Sequence, residues 1–368
     1  MIGTTFLGWF GSSSVDRAIK FPASFSWRVA PFVALVGLTF ASVSATASSN
    51  VPIAWGIDED TGNLLSIEDY DSTMTVTDYG RLSINDGGVS RAFPDTDPEY
   101  GDVFADLESF VIDKQGFGYT VGNATVDFPG GGTFTGPHLY RIRIFNEDGS
   151  LAVSPDDAAG SGGYNVLQSL GPVSGISSGE INGLDIDPLT GDFWAVNENG
   201  GRDDLVMIDK YTGVATVIAN SIDGTDDLED LSFDENGNLY LIEDDGGANE
   251  TDDILLMATL DRSGLIPSLL SLSIVNDIGG DVRIESLAWD FMNQRLLAFS
   301  DEHNSVWELN TSGDGYTDLG PIGFNDVEGL SFVPTDTGLP VPEPGSALLL
   351  GLGLMGLSGR LRRPAKTR

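Results

Sequence analysis

Residues 228–245 read LEDLSFDENGNLYLIEDD, and this stretch decides the fold. Two short runs rich in apolar residues flank the turn sequence DENG. Asp234 can cap such a turn with its side chain, and Gly237 can take the positive φ that the turn needs. Runs of this length on either side of such a turn predict an antiparallel β-hairpin.

The same hairpin pattern recurs along the chain. Three further copies are LESFVIDKQGFGYTVGN (107–123), INGLDIDPLTGDFWAVNE (181–198) and IESLAWDFMNQRLLAFSDE (284–302). A weaker fifth copy is IAWGIDEDTGNLLSIEDY (53–70), and VEGLSFVP (327–334) supplies only a first strand. More strand-like runs follow the hairpins, so each unit has about four strands. Four-stranded units at this interval predict an all-β fold, a single β-propeller.

The spacing of the units bounds the number of blades. One position of the repeat, at the start of the first strand, is held by Glu108, Asn182, Glu229, Glu285 and Glu328. The intervals between them are 74, 47, 56 and 43 residues, and the longest indicates an insertion, for which residues 123–139 are the candidate. We expect five or six blades, with the terminal segments completing one blade between them. Two β-sandwich domains are the alternative.

The composition limits the chemistry that the chain can perform. Its formal charge is −38, from 56 acidic and 18 basic residues, which argues against nucleic acid as a partner. There is no cysteine, so thiol chemistry is excluded, and two histidines leave little material for a His-based catalytic centre. An acidic chain of this kind suits divalent cations or cationic partners.

Aligning the repeats reveals two sets of polar residues. The first column is the set that opens each inner strand: Glu108, Asn182, Glu229, Glu285 and Glu328. The second column closes the strand that follows: Asp69, Asn123, Glu198, Asp244 and Asp301. In antiparallel neighbours, the start of one strand and the end of the next lie at the same end of the sheet. We therefore expect both columns around one mouth of the central channel.

Crowded carboxylates repel one another unless water, protons or a cation relieves the repulsion. Oxygen ligands without Cys or His favour Ca²⁺ or Mg²⁺ over zinc or copper. The two columns therefore predict a divalent ion, Ca²⁺ first, at the channel mouth. The alternative is architectural, since a residue repeated in every blade can serve to bond backbone amides.

The first 47 residues have the features of a secretory signal peptide. A basic residue, Arg28, precedes an apolar run, which ends in the small residues Ala45-Thr46-Ala47. This pattern predicts export and cleavage by signal peptidase after Ala47. The folded domain is then expected to span residues 48–340.

The last 28 residues form a separate three-part segment. Pro342-Glu343-Pro344 precedes the uncharged residues 345–359, which would rise about 22 Å as a helix against a hydrocarbon core of about 30 Å. Three basic residues then follow: Arg360, Arg362 and Arg363. This order resembles the PEP-CTERM sorting signal of exported bacterial proteins. The resemblance implies a short transmembrane sorting helix that anchors the chain briefly in the inner membrane. It also implies an exosortase-type membrane protease as partner, and delivery to the cell surface or an exopolysaccharide matrix.

The inner-strand sequences VEGLSF (327–332) and LEDLSF (228–233) are similar to those of esterase-like phytase propellers and related calcium-dependent propellers. In that family calcium and basic side chains hold phosphate, whereas bases are scarce here. Sugar-lactonase-like propellers use a Glu/Asn/Asp metal site, which Glu108, Asn182 and Asp301 could supply. We expect a binding module of the extracellular matrix, with polysaccharide as a possible partner. A calcium-dependent phosphoesterase or lactonase is the alternative.

Overall fold

The computed structural model describes residues 54–59, 61–70, 73–86, 89–92, 104–127, 133–154, 165–176, 179–198, 202–222, 225, 227–243, 253–279, 282–313 and 315–333. The regular elements of these residues are all β-strands. The expected signal peptide, with Ala45 and Ala47, and the sorting segment 341–368 lie outside the described residues. Within the described ranges, no helix has the length and apolar character needed to cross a membrane.

The described strands number 23 and are given in chain order. The first sheet begins with β1 (Ala54–Asp58), β2 (Asn63–Glu68) and β3 (Thr75–Arg81). The second contains β4 (Ser83–Asp86), β5 (Val89–Ala92), β6 (Phe104–Leu107), β7 (Val111–Ile112), β8 (Phe117–Asp127), β9 (Thr133–Arg143) and β10 (Val166–Pro172). The third contains β11 (Glu180–Ile186), β12 (Phe193–Glu198), β13 (Asp203–Ile208) and β14 (Ala215–Ala219). The fourth contains β15 (Leu228–Phe233), β16 (Leu239–Glu243), β17 (Ile254–Asp261) and β18 (Ser268–Asp277). The fifth contains β19 (Ile284–Asp290), β20 (Arg295–Ser300), β21 (Ser305–Leu309) and β22 (Tyr316–Pro321), and β23 (Val327–Phe332) ends the series.

Five sheets form five blades around one axis. The third, fourth and fifth are simple four-stranded meanders, in the orders β11–β14, β15–β18 and β19–β22. The strands nearest the axis, called the inner strands, are β7, β11, β15, β19 and β23. They contact one another in a closed ring, from β7 to β11, β15, β19, β23 and back to β7. The predicted β-propeller is confirmed, and the blade number is five.

The two ends of the described chain close the ring. β23 pairs antiparallel with β1, and the first blade has the order β23-β1-β2-β3. The expectation that the terminal segments share one blade is therefore met. The pairing also corrects the position of residues 53–70 in the repeat, because β1 and β2 are the second and third strands of their blade. The turn from Asp58 to Gly62 thus joins a second strand to a third.

The second blade carries the insertion that the long interval predicted. β8 and β9 are 11 residues each and pair along their whole length. The hairpin of β4 and β5 extends the sheet beyond β10, through a parallel pairing of β4 with β10. Apolar clusters fill the spaces between neighbouring blades, and Trp55, Trp194 and Trp307 are fully buried there.

The inner strands approach most closely one residue after the first column. The residues at this level are Ser109, Gly183, Asp230, Ser286 and Gly329. A Cβ on Gly329 would lie 1.9 Å from the amide nitrogen of Phe110, and a Cβ on Gly183 would lie 2.7 Å from Cα of Asp230. Glycine at these two positions therefore lets the backbones of adjacent blades meet.

Side chains carry hydrogen bonds from one inner strand to the next. The Asp185 carboxylate on β11 accepts a hydrogen bond of 2.7 Å from the Phe233 amide of β15. The Asp230 carboxylate on β15 accepts a hydrogen bond of 2.6 Å from the Leu287 amide of β19. Neighbouring inner strands belong to different sheets, so these bonds satisfy amides that no ladder partner reaches.

Replacing Gly329 with alanine tests this close approach. The added Cβ has no room against the second blade, and φ is +62° at this position, so we expect a loss of at least about 3 kcal/mol in unfolding free energy. Gly323→Ala is the matched control, because φ is +82° there but nothing lies within 4 Å, so that only about 1–2 kcal/mol of backbone strain is expected. Equal losses in equilibrium denaturation would contradict the packing argument.

Candidate functional site

β-bulges place most of the first column at the channel mouth. The pairing of β11 with β12 passes from Ile181 directly to Gly183, which leaves Asn182 without a partner residue. Glu229 on β15 and Glu285 on β19 are skipped in the same way. A bulge bends its strand and re-aims the side chain of the extra residue. The same local device thus presents the first-column side chain in three blades.

The other two first-column residues occupy the same level. Glu328 lies opposite Ile57, directly before an irregularity in the pairing of β23 with β1. Glu108 precedes β7 and is partly buried. Since all five inner strands begin at this end of the channel, the first column surrounds one mouth, which we call the acidic mouth.

Glu328 is the point on which the other carboxylates converge. Only 7% of the surface of Glu328 is exposed to solvent. Burial raises the pKa of its carboxyl well above the ordinary value, and the nearby charges of Glu285, Glu229, Glu59 and Asp326 raise it further. Carboxylates from three blades therefore act on one another here, as the alignment of the first column predicted.

Two members of this group were missing from the sequence-based prediction. Glu59, Asp326 and Glu328 each offer a carboxylate oxygen, and these oxygens lie within 4.8 Å of one another. The backbone fixes the arrangement, because the Glu59 amide donates to the Asp326 carbonyl at 2.9 Å. Glu59 directly follows β1, so it is the structural counterpart of the second column in the first blade. Placing VEGLSF against IAWGID as first and second strands would have identified it.

The second column is only partly at the acidic mouth. Glu198 ends β12 and Asp301 directly follows β20, both at the level where their inner strands begin. Ile67 near the end of β2 is level with Phe332 at the C-terminal end of β23, since both pair with Ala54. Asp69 follows β2 beyond this level, and so it lies at the opposite end of the blade from the acidic mouth. Its expected place was wrong because residues 53–70 are the second and third strands. Asn123 lies on β8 with only its backbone described, and Asp244 lies outside the described residues.

One arginine links the two columns in the fifth blade. Arg283 places Nη2 3.3 Å from Oε1 of Glu285 and Nη1 2.5 Å from Oδ2 of Asp301. Its side chain is 48% exposed, so these ion pairs contribute little to stability. Arg283 and Asp326 stand two residues before their first-column residues, and both have positive φ, at 46° and 56°. Such backbone strain in residues with a Cβ is concentrated at functional sites.

The acidic mouth has the chemistry of a hard-cation site. Glu59, Asp326 and Glu328 supply oxygen ligands at mutual distances that one ion can span, and Glu285 and Glu229 are close enough to add charge. Without a cation, protons relieve part of the repulsion, because burial and the neighbouring carboxylates raise the pKa of Glu328. Whether metal occupies the site stays a prediction.

Comparison with known proteins identifies the tail. Residues 340–363 match the PEP-CTERM protein-sorting motif, which confirms the sorting signal. The chain is thus an exported protein, and the signal implies transient membrane anchoring and processing by exosortase. The sorting residues Pro342, Glu343, Pro344, Arg360, Arg362 and Arg363 lie within the match but outside the described residues. No curated protein matches the chain.

Several solved structures align with the chain at low similarity. A nidogen/laminin complex is 11% identical, with a TM-score of 0.38, and the alignment covers 77% of this chain and 98% of that one. A putative gluconolactonase is 14% identical, with a TM-score of 0.37, and the alignment covers 74% of this chain and 78% of that one. An aldose sugar dehydrogenase from Streptomyces coelicolor, in its PQQ-bound form, is 11% identical, with a TM-score of 0.38. The alignment covers 76% of this chain and 81% of that one. These similarities carry no inference about a ligand or a reaction.

The pH dependence of stability tests the environment of Glu328. Its carboxyl holds a proton more tightly in the folded than in the unfolded chain, so it favours folding below its ordinary pKa of 4.5. This contribution is lost as the pH rises toward the raised folded value. In EDTA, Glu328→Gln should therefore melt higher than the wild type at pH 7, with the difference shrinking toward pH 4. Glu147→Gln, at an exposed turn, should change nothing, and a Glu328→Gln variant that behaved in the same way would refute the assignment.

Proposed function

We propose that the exported propeller is a binding module of the cell surface or extracellular matrix, with Ca²⁺ at the acidic mouth. The observation that supports this most strongly is the convergence of carboxylates from three blades on Glu328, a side chain shielded from water. A divalent ion relieves their mutual repulsion without requiring protons. The site needs neither Cys nor His, which fits a hard cation.

Matrix polysaccharide is the partner that this site suits. Calcium takes six to eight oxygen ligands, and the three carboxylates of Glu59, Asp326 and Glu328 leave positions for others. Hydroxyl or carboxylate oxygens of a polysaccharide can occupy those positions. The sorting signal marks the chain for export, which is compatible with a partner outside the cell.

A calcium-dependent hydrolase of phosphoesters or lactones is the alternative function. Such an enzyme would bring substrate to the same ion. Phosphate is the less favoured substrate, because Arg283 is already engaged by Glu285 and Asp301. A phosphoryl group would have to compete with two carboxylates for this guanidinium.

Calcium should raise the melting temperature of the protein, and EDTA should reverse the rise. The expected increase is several degrees, because a ligand at 100 times its Kd adds about 2.7 kcal/mol of stability. Glu59→Gln and Glu328→Gln should each lose most of this response, and Glu147→Gln should retain it.

Turnover measured in the same samples separates the two functions. Stabilisation without hydrolysis of generic phosphoesters or lactones supports the binding module, whereas metal-dependent turnover that Glu328→Gln abolishes supports the enzyme. A melting temperature that does not respond to calcium would remove the ion from both.

The sorting signal makes a separate prediction about the mature chain. Replacing Glu343 with alanine should prevent recognition of the Pro342-Glu343-Pro344 sequence, so that the tail remains and the protein stays in the membrane fraction. Mass spectrometry of the cell-surface protein measures the loss of the tail. An Asp192→Ala variant, at an exposed turn of the propeller, should be processed normally. Equal processing of both variants would show that the motif is not read.

A further inference from the structure

A cavity of about 320 Å³ lies at the end of the channel opposite the acidic mouth. All five inner strands contribute their C-terminal ends to its wall, together with the turns that follow β7 and β11. Exposed residues of these turns, such as Lys114 and Leu189, stand at its opening. We call it the distal cavity, and its volume is in the range of small-molecule sites.

The distal cavity is separate from the acidic mouth. Its lining begins about three residues beyond the first column, which is about 10 Å along a strand. Between the two lies the level at which Gly183 and Gly329 bring the inner-strand backbones together. A ligand in the distal cavity therefore does not share the proposed calcium site.

One wall of the cavity is a fixed apolar surface. Trp289 and Phe291 come from the fifth blade, and Leu330 and Phe332 come from the first. The ring of Trp289 is stacked on Tyr240, with ring centroids 6.0 Å apart and an angle of 3° between the planes. Trp289 is 7% exposed, so it adds a small apolar area to this wall, against which the C–H side of a ring can pack.

The other wall carries polar groups with unused hydrogen-bonding capacity. The Ser331 hydroxyl accepts the Ile112 amide at 3.0 Å, and no described residue accepts its proton. Ser331 is only 5% exposed and lines the cavity, so a ligand there can accept a hydrogen bond from its hydroxyl group. Among the described residues, Lys210 has one ion-pair partner, Asp113 Oδ2 at 3.4 Å, and its ammonium group can donate further hydrogen bonds.

Asp185 completes the polar wall. Its Oδ1 accepts a hydrogen bond from the Ile186 amide, and its Oδ2 accepts one from the Phe233 amide, each at 2.7 Å. Burial, with a smaller contribution from Asp187, raises its pKa to about 7, against the effect of these hydrogen bonds. The raised pKa favours the protonated form of this carboxyl, which can donate a hydrogen bond, and the ionised form can accept one.

The charges inside the cavity are already compensated, whereas Lys114 at the opening is exposed, so that water screens its charge. Asp113 accepts from both Lys210 and the Tyr119 hydroxyl. Asp187 is paired with Arg262. A cationic ligand would find no unpaired carboxylate of full charge among these groups, and an anionic ligand would meet Lys210 already engaged. The site is therefore suited to a neutral ligand that carries several hydroxyl groups and an apolar face.

We propose that the distal cavity binds a neutral sugar of monosaccharide size, with its ring against Trp289 and its hydroxyls toward Ser331, Asp185 and Lys210. A hexose ring combines one face of C–H groups with a rim of hydroxyls, which matches the two walls. The proposed sugar site requires no metal ion and does not depend on the acidic mouth.

Ligand-observed NMR with the full chain tests the proposal, in EDTA and with glucose, galactose and mannose as probes. At least one of these hexoses should bind at millimolar concentration. Ser331→Ala and Lys210→Met should each weaken binding about fivefold, the equivalent of about one hydrogen bond. Glu147→Gln should have no effect, and a cooperative melting transition in each variant would show that it is folded.

Four results would overturn the proposal. One is the absence of binding by all three hexoses, and another is binding that neither Ser331→Ala nor Lys210→Met weakens. The third is binding of glucosamine or glucuronate in place of the neutral sugars, because it would show that a charged ligand is preferred. Hexose binding that appears only with calcium would assign the sugar to the acidic mouth, and it too would contradict the distal site.

Discussion

The crowding of five inner strands around one axis governs the rest of this structure. Five blades leave so little space that the backbones meet, as Gly329 against Phe110 shows most clearly. At that level the chain tolerates glycine and serine, or an aspartate that faces a glycine, as Asp230 faces Gly183. The ring itself is closed by the hydrogen bonds of β23 with β1, so one non-covalent pairing between distant parts of the chain holds all five strands in place.

The crowding also explains why function is expected at the ends of the channel and not along it. Where the inner strands begin, bulges turn the first-column side chains out of the ladder, and acidic groups from three blades interact at Glu328. Where the strands end, they leave a cavity whose lining is half apolar and half polar. The two ends therefore offer different chemistry, one suited to a hard cation and the other to a neutral polar ligand. The sorting signal, in turn, explains why such a chain is exported.

Residues that recur in every blade were predictable from the sequence, and residues that occur once were not. The hairpin motif gave the propeller, and the recurrence of Glu229, Glu285 and Glu328 indicated that these carboxylates would meet. Asp69 was placed at the wrong end because a strand from the other terminus, β23, precedes β1 in its blade. Asp185 and Ser331 escaped attention because their level of the repeat holds Val111, Asp185, Ser232, Ala288 and Ser331, which share no chemical type. Their role depends on which of them face a cavity, and this only the assembled ring determines.

The central claim is that the charge at the acidic mouth is balanced either by protons or by a cation. Titration calorimetry of calcium binding, repeated in buffers of different ionisation enthalpy, measures whether the two exchange. The account predicts that calcium binds and that protons are released, because the ion displaces the proton held by Glu328. Binding without proton release, or no binding at all, would contradict it.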